Sequence, residues 1–199
     1  MLRIIAGEHR GRLIEAPPGE GTRPMLDRVR EALFSTLAAQ LGERFEGSRV
    51  LDLFAGSGSL GLEALSRGAA SARLVERDAK VVRVLRENVA TLRLVERAHI
   101  VGADALASAS WGASERYDIV FFDPPYPLLD DPRVSPRVFA ALRSLLTEHL
   151  TSQAVLVFHA PRGRLHAQQF GAGIEAKLRE YGTNALWYLS AAHEEERTA

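Results

Sequence analysis

The sequence contains no cysteine, which removes disulfide cross-links, thiolate zinc sites and cysteine nucleophiles together. Its six histidines include no His-x-x-x-His pair, so no metal-ligand spacing stands out and no metal is expected. No apolar run approaches the ~20 residues needed to span a bilayer. The opening Met1-Leu2-Arg3-Ile4-Ile5-Ala6-Gly7 is too short and too soon interrupted for a secretory signal, so a cytoplasmic location is expected. Net charge is also missing: 25 basic residues balance 25 acidic ones, which argues against coating nucleic acid by charge alone. Lysine is nearly absent, with only Lys80 and Lys177 among the basic residues. An arginine-rich genome would produce that bias. So would a need for bidentate phosphate contacts, to which the guanidinium is suited.

What is present fits an α/β domain. At 199 residues, 46% of them hydrophobic, the chain can bury one sizeable core, and it shows neither internal repeats nor low-complexity linkers. Residues 2–14 read as a hairpin with Gly7 and Gly11 at its tip. A loop rich in Pro and Gly follows over 16–21, then a helix from about Asp27 with Val29, Leu33, Leu37 and Leu41 at four-residue spacing. From residue 49 short apolar runs alternate with helical stretches, the pattern of a mostly parallel sheet covered on both faces. Strands are expected at 49–54, 72–75, 99–101, 117–122 and 154–158, with helices near 59–67, 78–93 and 136–147. Ser135 is the expected cap of the last helix, and Pro136 belongs in its first turn. Two further strands, 174–181 and 185–190, flank a Gly182-Thr183-Asn184 turn. These boundaries suggest a hairpin-and-helix extension over 1–45, a catalytic domain over 46–192 and a frayed tail over 193–199.

Two segments carry chemistry. The first is Asp52-Leu53-Phe54-Ala55-Gly56-Ser57-Gly58-Ser59-Leu60-Gly61, a Gly-x-Gly-x-x-Gly loop between a strand and a helix. Glycine serves there where the backbone turns sharply or lies against a ligand. Glu76, at the end of the next strand, can accept both hydroxyls of a ribose. Together these predict a nucleoside cofactor, either a dinucleotide or S-adenosylmethionine. Asp52 favours the second, because an acid before the loop suits a cationic amino-acid moiety and repels a pyrophosphate. Asp104, in Gly102-Ala103-Asp104, can accept from an adenine amino group or cap a helix over Ala105–Ser108.

The second segment is Asp123-Pro124-Pro125-Tyr126, delivered by an apolar strand to the carboxyl edge of the sheet. Each proline fixes its own φ and pushes the preceding residue out of the helical region. A carboxylate and a backbone carbonyl can thus converge on one point. That pair suits an amino group on a conjugated ring, whose lone pair is delocalised until both N–H bonds are accepted. The same acceptors stabilise positive charge as the nitrogen attacks a sulfonium methyl. Tyr126 offers its ring face to the target base.

On these residues the sequence resembles the bacterial family that methylates N2 of a guanine in 16S ribosomal RNA. The matching pieces run from about Leu2 to Leu189. They are Arg3-Ile4-Ile5-Ala6-Gly7 with Arg10-Gly11-Arg12, Arg23-Pro24 with Asp27-Arg28-Val29-Arg30-Glu31, the glycine loop with its continuation to Gly68, and Asp123–Tyr126. One departure is visible: Met25-Leu26 stand where threonine or another small polar residue is expected. The resemblance implies a class I methyltransferase fold, doubly wound and Rossmann-like, with seven strands finished by an antiparallel one. It implies S-adenosylmethionine as donor and 16S rRNA within the small ribosomal subunit, or its assembly intermediate, as substrate. Arg10, Arg12, Arg23 and Arg28 would contact phosphates or orient a flipped guanine, unless they form a solvated face tied to Glu8, Asp27 and Glu31. No obligate protein partner or membrane is implied, and a monomer is expected. Competing readings are an amino-group methyltransferase of DNA or protein glutamine, a nicotinamide-dependent oxidoreductase, and a non-catalytic ribosome-assembly factor.

Overall fold

The computed structural model describes residues 1–17 and 25–192, so Arg23 and the tail expected over 193–199 lie outside the described residues. The chain begins with a hairpin of β1 (Leu2–Arg3) and β2 (Leu13–Ile14), in which Leu2 pairs with Ile14. Its strands are short for a physical reason. The N–H groups of Ile5 and Ala6 leave the ladder and donate to the Glu63 carboxylate at 2.7 and 3.0 Å. Helix α1 (Asp27–Leu41) then buries Val29, Leu33, Leu37 and Leu41 along one stripe, as their spacing predicts. Leu26 stands at its N-cap and supplies no side-chain hydrogen bond, the structural consequence of the missing polar residue.

The sheet contains β3 (Arg49–Leu53), β4 (Ser71–Val75), β5 (Ala98–Val101), β6 (Tyr117–Phe122), β7 (Leu150–Pro161), β8 (Ile174–Tyr181) and β9 (Asn184–Ala191). Their order is β5-β4-β3-β6-β7-β9-β8. The first five of these neighbours run parallel, and β9 pairs antiparallel with both β7 and β8. This is the doubly wound, seven-stranded class I arrangement that the resemblance implied. From β3 the chain winds outward through β4 and β5, then returns to the other side of β3 with β6. The reversal opens a crevice at the carboxyl ends of β3 and β6, where open α/β sheets bind ligands.

Alternation along β6 shows how the core divides. Ile119 and Phe121 pack on one face of the sheet with α1, α2 (Ser59–Ser66) and α3 (Ala79–Thr91), where Leu62, Leu85 and Val89 are buried. Val120 and Phe122 face the other layer, whose helix α5 (Ser135–Glu148) contributes Val138, Leu142 and Leu145. A short helix, α4 (Pro127–Asp130), precedes it. Truncating a wholly buried aromatic such as Phe121 to alanine costs about 3–5 kcal/mol. The amino-terminal hairpin joins the first layer, since Ile4 and Ile14 are in the same cluster as Leu62 and Phe121. Gly7 marks its closest approach: a Cβ there would lie 1.8 Å from the Ser66 carbonyl oxygen.

Three expectations need correction. Ser135 is not the cap of α5 but its first helical residue. Val134 already has φ −105° and ψ −39°, and the Ser135 N–H finds the Asp131 carbonyl at 2.8 Å, so a side-chain cap is not required. The strand expected at 154–158 runs over 12 residues: β6 pairs with Leu150 and again from Val155, β9 pairs from Leu156 to Pro161, and the polar Thr151-Ser152-Gln153 lie in the register irregularity between the two β6 contacts. The strand expected to end at Phe54 stops at Leu53, and Phe54 turns into the left-handed region at φ 62°.

Candidate active site

The glycine loop is held from below by its own acids. Asp52, 1% exposed, accepts the Gly61 N–H at 2.8 Å from the first turn of α2. Burial is the main cause that lifts its pKa to about 8; the Gly61 bond opposes the shift, and the negative charges of Asp123 and Glu76 add to it. Glu76 reaches the loop from the end of β4, accepting the Gly56 N–H at 3.1 Å and the Asp78 N–H at 2.9 Å. The three glycines differ in purpose. A Cβ on Gly61 would lie 2.3 Å from Leu74 Cδ2, and one on Gly58 would lie 2.5 Å from Leu85 Cδ1. Those two let the helix pack. Gly56, at φ 56°, has its nearest neighbours to such a Cβ, the Phe54 carbonyl oxygen and Pro17 Cγ, at 3.9 Å, so its face of the loop is the least crowded of the three.

Asp104 follows β5 at the same edge. Its Oδ1 accepts the Leu106 N–H at 3.0 Å within a turn, not at the start of the helix expected over 105–108, since the next helical residues are the 3-10 turn Ser108–Trp111, and its Oδ2 meets Arg137 at 3.1 Å. Arg137, in α5, was not among the expected site residues.

Across the crevice, β6 ends in Asp123, whose side chain is about one-third exposed. Asp123 Oδ1 lies 2.8 Å from Nδ1 of His159 on β7. His159 Nε2 lies 2.9 Å from Asn184 Oδ1 and 3.3 Å from the Tyr126 hydroxyl. Burial opposes a charge on His159, but its contacts with Asp123 and Asn184 outweigh burial and raise its pKa above the ordinary value. The Pro124 carbonyl accepts no hydrogen bond among the described residues, whereas the Pro125 carbonyl takes the Leu128 N–H at 2.9 Å to begin α4. Tyr126 meets His159 edge to face at 5.8 Å and is 39% exposed, which leaves ring surface at the crevice. A carboxylate, an uncommitted carbonyl and an aromatic face therefore stand beside the glycine turn.

Of the arginines singled out, Arg10 and Arg28 are exposed, and neither forms an ion pair among the described residues. Arg28 lies near the tip of the β8–β9 hairpin, its Nη2 being 4.0 Å from where a Cβ on Gly182 would sit. Arg12 donates to the Thr91 carbonyl at 2.5 Å, at the carboxyl end of α3. Two of the three acids expected to tie these arginines down lie against other partners, Asp27 against the buried Arg30 and Glu8 against His9 and Arg97, and Glu31 forms no ion pair among the described residues.

A family model described as conserved hypothetical protein 95 matches residues 2–190. The chain belongs to that family. Ribosomal RNA small subunit methyltransferase D of Escherichia coli K12 is 45% identical over 125 residues, which is 63% of this chain and 60% of the relative. The protein of the same name from Haemophilus influenzae is 41% identical over 127 residues, 63% of this chain and 64% of that one. The match thus spans less than two thirds of these relatives' length. Among solved structures, yhhF from E. coli superposes with a TM-score of 0.78 at 32% identity, covering 96% of this chain and 98% of its own. The amino-terminal arginine motifs and the proline spur pointed to the family of small-subunit rRNA methyltransferases, and that expectation is met.

Within this family member, tertiary structure adds two residues that the sequence reading passed over. His159 and Asn184 lie 36 and 25 positions from their partners Asp123 and His159. The available signal was slight: a histidine closing the apolar run Val155-Leu156-Val157-Phe158, at the same sheet edge as the spur. Among the described residues no group of three or more His, Asp or Glu side chains is placed to hold a metal ion, and no helix is long and apolar enough to cross a membrane.

Proposed function

We propose that the protein transfers the methyl group of S-adenosylmethionine to the N2 amino group of a guanine in 16S rRNA, within the small ribosomal subunit or an assembly intermediate. The observation that carries this reading is Asp123 Oδ2, the oxygen that His159 does not engage, and the Pro124 carbonyl, both acceptors at the carboxyl end of β6 beside the glycine turn at the end of β3. The names of the relatives support it.

The residues fit the cofactor. Gly56 leaves a space that a side chain would fill. Glu76 suits the ribose hydroxyls and Asp104 the adenine amino group, while Asp52, neutral beneath the loop, would lose its proton to balance the cationic amino-acid moiety on its arrival, with Phe54, Gly58 and Gly61 shaping the turn. When bound, the cofactor supplies an electrophilic methyl group on a sulfonium. Asp123 and the Pro124 carbonyl accept the two N–H bonds of the target amine, localise its lone pair and stabilise the charge that develops on nitrogen. The proton shed by that nitrogen passes to Asp123 Oδ2, the oxygen not facing His159. Tyr126 stacks on the base, worth roughly 1–3 kcal/mol. Pro125 stiffens the spur, and Arg10, Arg12, Arg23 and Arg28 hold the RNA. The working protein is a cytoplasmic monomer.

Labelled methyl transfer to small subunits, duplex DNA and protein, run side by side, tests the proposal. Label should enter 16S rRNA and map to guanine N2. Label in adenine or cytosine of DNA, or in glutamine, would replace the substrate assignment. Tight binding of a nicotinamide dinucleotide without binding of S-adenosylhomocysteine would overturn the reading altogether.

A further inference from the structure

Both ring nitrogens of His159 face acceptors. Nδ1 meets the Asp123 carboxylate at 2.8 Å and Nε2 meets Asn184 Oδ1 at 2.9 Å. The orientation of the Asn184 amide is not arbitrary, because its Nδ2 donates to the Tyr181 carbonyl at 3.2 Å and so turns the oxygen toward the ring. A neutral imidazole has one N–H; with that proton on Nδ1 the bare Nε2 sets a lone pair against the Asn184 oxygen at 2.9 Å, and its one donor is the more distant Tyr126 hydroxyl at 3.3 Å. A ring carrying both protons satisfies both. His159 is nearly buried, at 6% exposure, so an unmet hydrogen bond there has no solvent to repair it.

We propose that His159, carried as an imidazolium between Asp123 and Asn184, is a positioning residue that locks Asp123 Oδ1 and thereby aims Oδ2 at the target amino group. The assignment of the target rests on the methyl-transfer reading above; the charge state of the ring does not. The groups facing the imidazole are Asp123 at the end of β6, Tyr126 at the start of α4 and Asn184 at the start of β9. Arg162, just beyond β7, is paired with Glu180. The β8–β9 hairpin therefore reaches the reacting centre through a histidine. Its antiparallel pairing brings Asn184 opposite Pro161, two residues from His159.

Two measurements test this. In the free protein, ¹⁵N spectra of labelled histidine should show both ring nitrogens of His159 protonated at pH 7. A bare ring nitrogen at that pH overturns the proposal, whether or not the protein methylates RNA. In the assay, His159→Gln should lower kcat about 10- to 100-fold, the range found when a group that orients a ligand from behind is removed. S-adenosylhomocysteine affinity and KM for the small subunit should stay within about threefold, a difference of under 0.7 kcal/mol. The alkaline limb of the wild-type pH–rate profile should report loss of the ring proton. Asn184→Asp should move that limb to higher pH and Asn184→Leu to lower pH. If His159→Gln lowers thermal stability but leaves kcat and the limb in place, the residue is merely structural and the proposal fails. If wild-type protein labels no RNA, the functional reading fails instead, and the spectra alone decide the charge on His159.

Discussion

The two walls of the crevice are built on opposite plans. On the glycine-loop side the acids satisfy nearby backbone: Asp52 takes the N–H of Gly61 and Glu76 that of Gly56, across 9 and 20 positions of chain. On the spur side Asp123 is held by the His159 side chain from β7, itself backed by Asn184 from β9, and no backbone amide among the described residues donates to the Asp123 carboxylate. The first wall is thus a folded loop whose carboxylates must exchange backbone partners, or work through charge, when a ligand arrives. The second is a preset arrangement of side chains with one oxygen left over. A binding wall can adjust without harm, whereas a wall that stabilises developing charge gains from being fixed beforehand.

The largest effect should fall on the spur. Asp123→Ala should abolish detectable methyl transfer, a barrier increase of about 3–4 kcal/mol or more, with S-adenosylhomocysteine affinity nearly unchanged by calorimetry. Transfer at the wild-type rate would end the contrast between the two walls. Next come the glycines. Gly61→Ala meets Leu74 and should lower folding stability by about 1–3 kcal/mol in urea titrations. Gly56→Ala, strained only by its positive φ, should lower it by about 1 kcal/mol while weakening cofactor binding more than Gly61→Ala does. The reverse ranking for cofactor would mean that the least crowded face of the loop is not where the ligand lies.

The third effect concerns pH. Asp52 is protonated in the fold up to about pH 8, whereas in the unfolded chain it ionises near the ordinary aspartate value of ~3.9. The unfolded state therefore holds fewer protons between these limits. Stability falls across that window as pH rises, by about 1.4 kcal/mol per unit for this group alone, and levels off above pH 8. Asp52→Asn, which can still accept the Gly61 N–H, should flatten the slope and stabilise the ligand-free protein at pH 8. An unchanged slope would mean that the carboxylate is already charged beneath the loop. The smallest effect belongs to the exposed face. Replacing Arg10 and Arg12 with alanine should weaken binding to the small subunit and reduce the slope of log affinity against log salt by about one for each phosphate no longer neutralised. A slope unaltered by both changes would assign these side chains to the solvent and to the α3 terminus that Arg12 already caps.

Much of this molecule was legible along the chain. The glycine loop, Glu76, the strand that bears the spur and the α1 stripe are local patterns, set by two-fold or 3.6-fold periodicity and by residues whose backbone freedom is unusual. The hairpin tip was legible too, although not the diversion of Ile5 and Ala6 to Glu63, since that needs α2 to be packed alongside. Asp104 was readable as an acceptor at the sheet edge, but the helix expected behind it is a turn, in which it takes the Leu106 N–H together with a guanidinium from α5.

Sequence by itself determined the class of the fold, the family and the position of the carboxylate on the spur, because each depends on neighbours within a few residues or on a pattern repeated along one element. Tertiary structure alone decided which glycine of the loop is left uncrowded, why Asp52 holds its proton, and that His159 and Asn184 stand behind Asp123. Those outcomes depend on burial and on the order of strands in the sheet. Neither quantity is carried by any single stretch of chain.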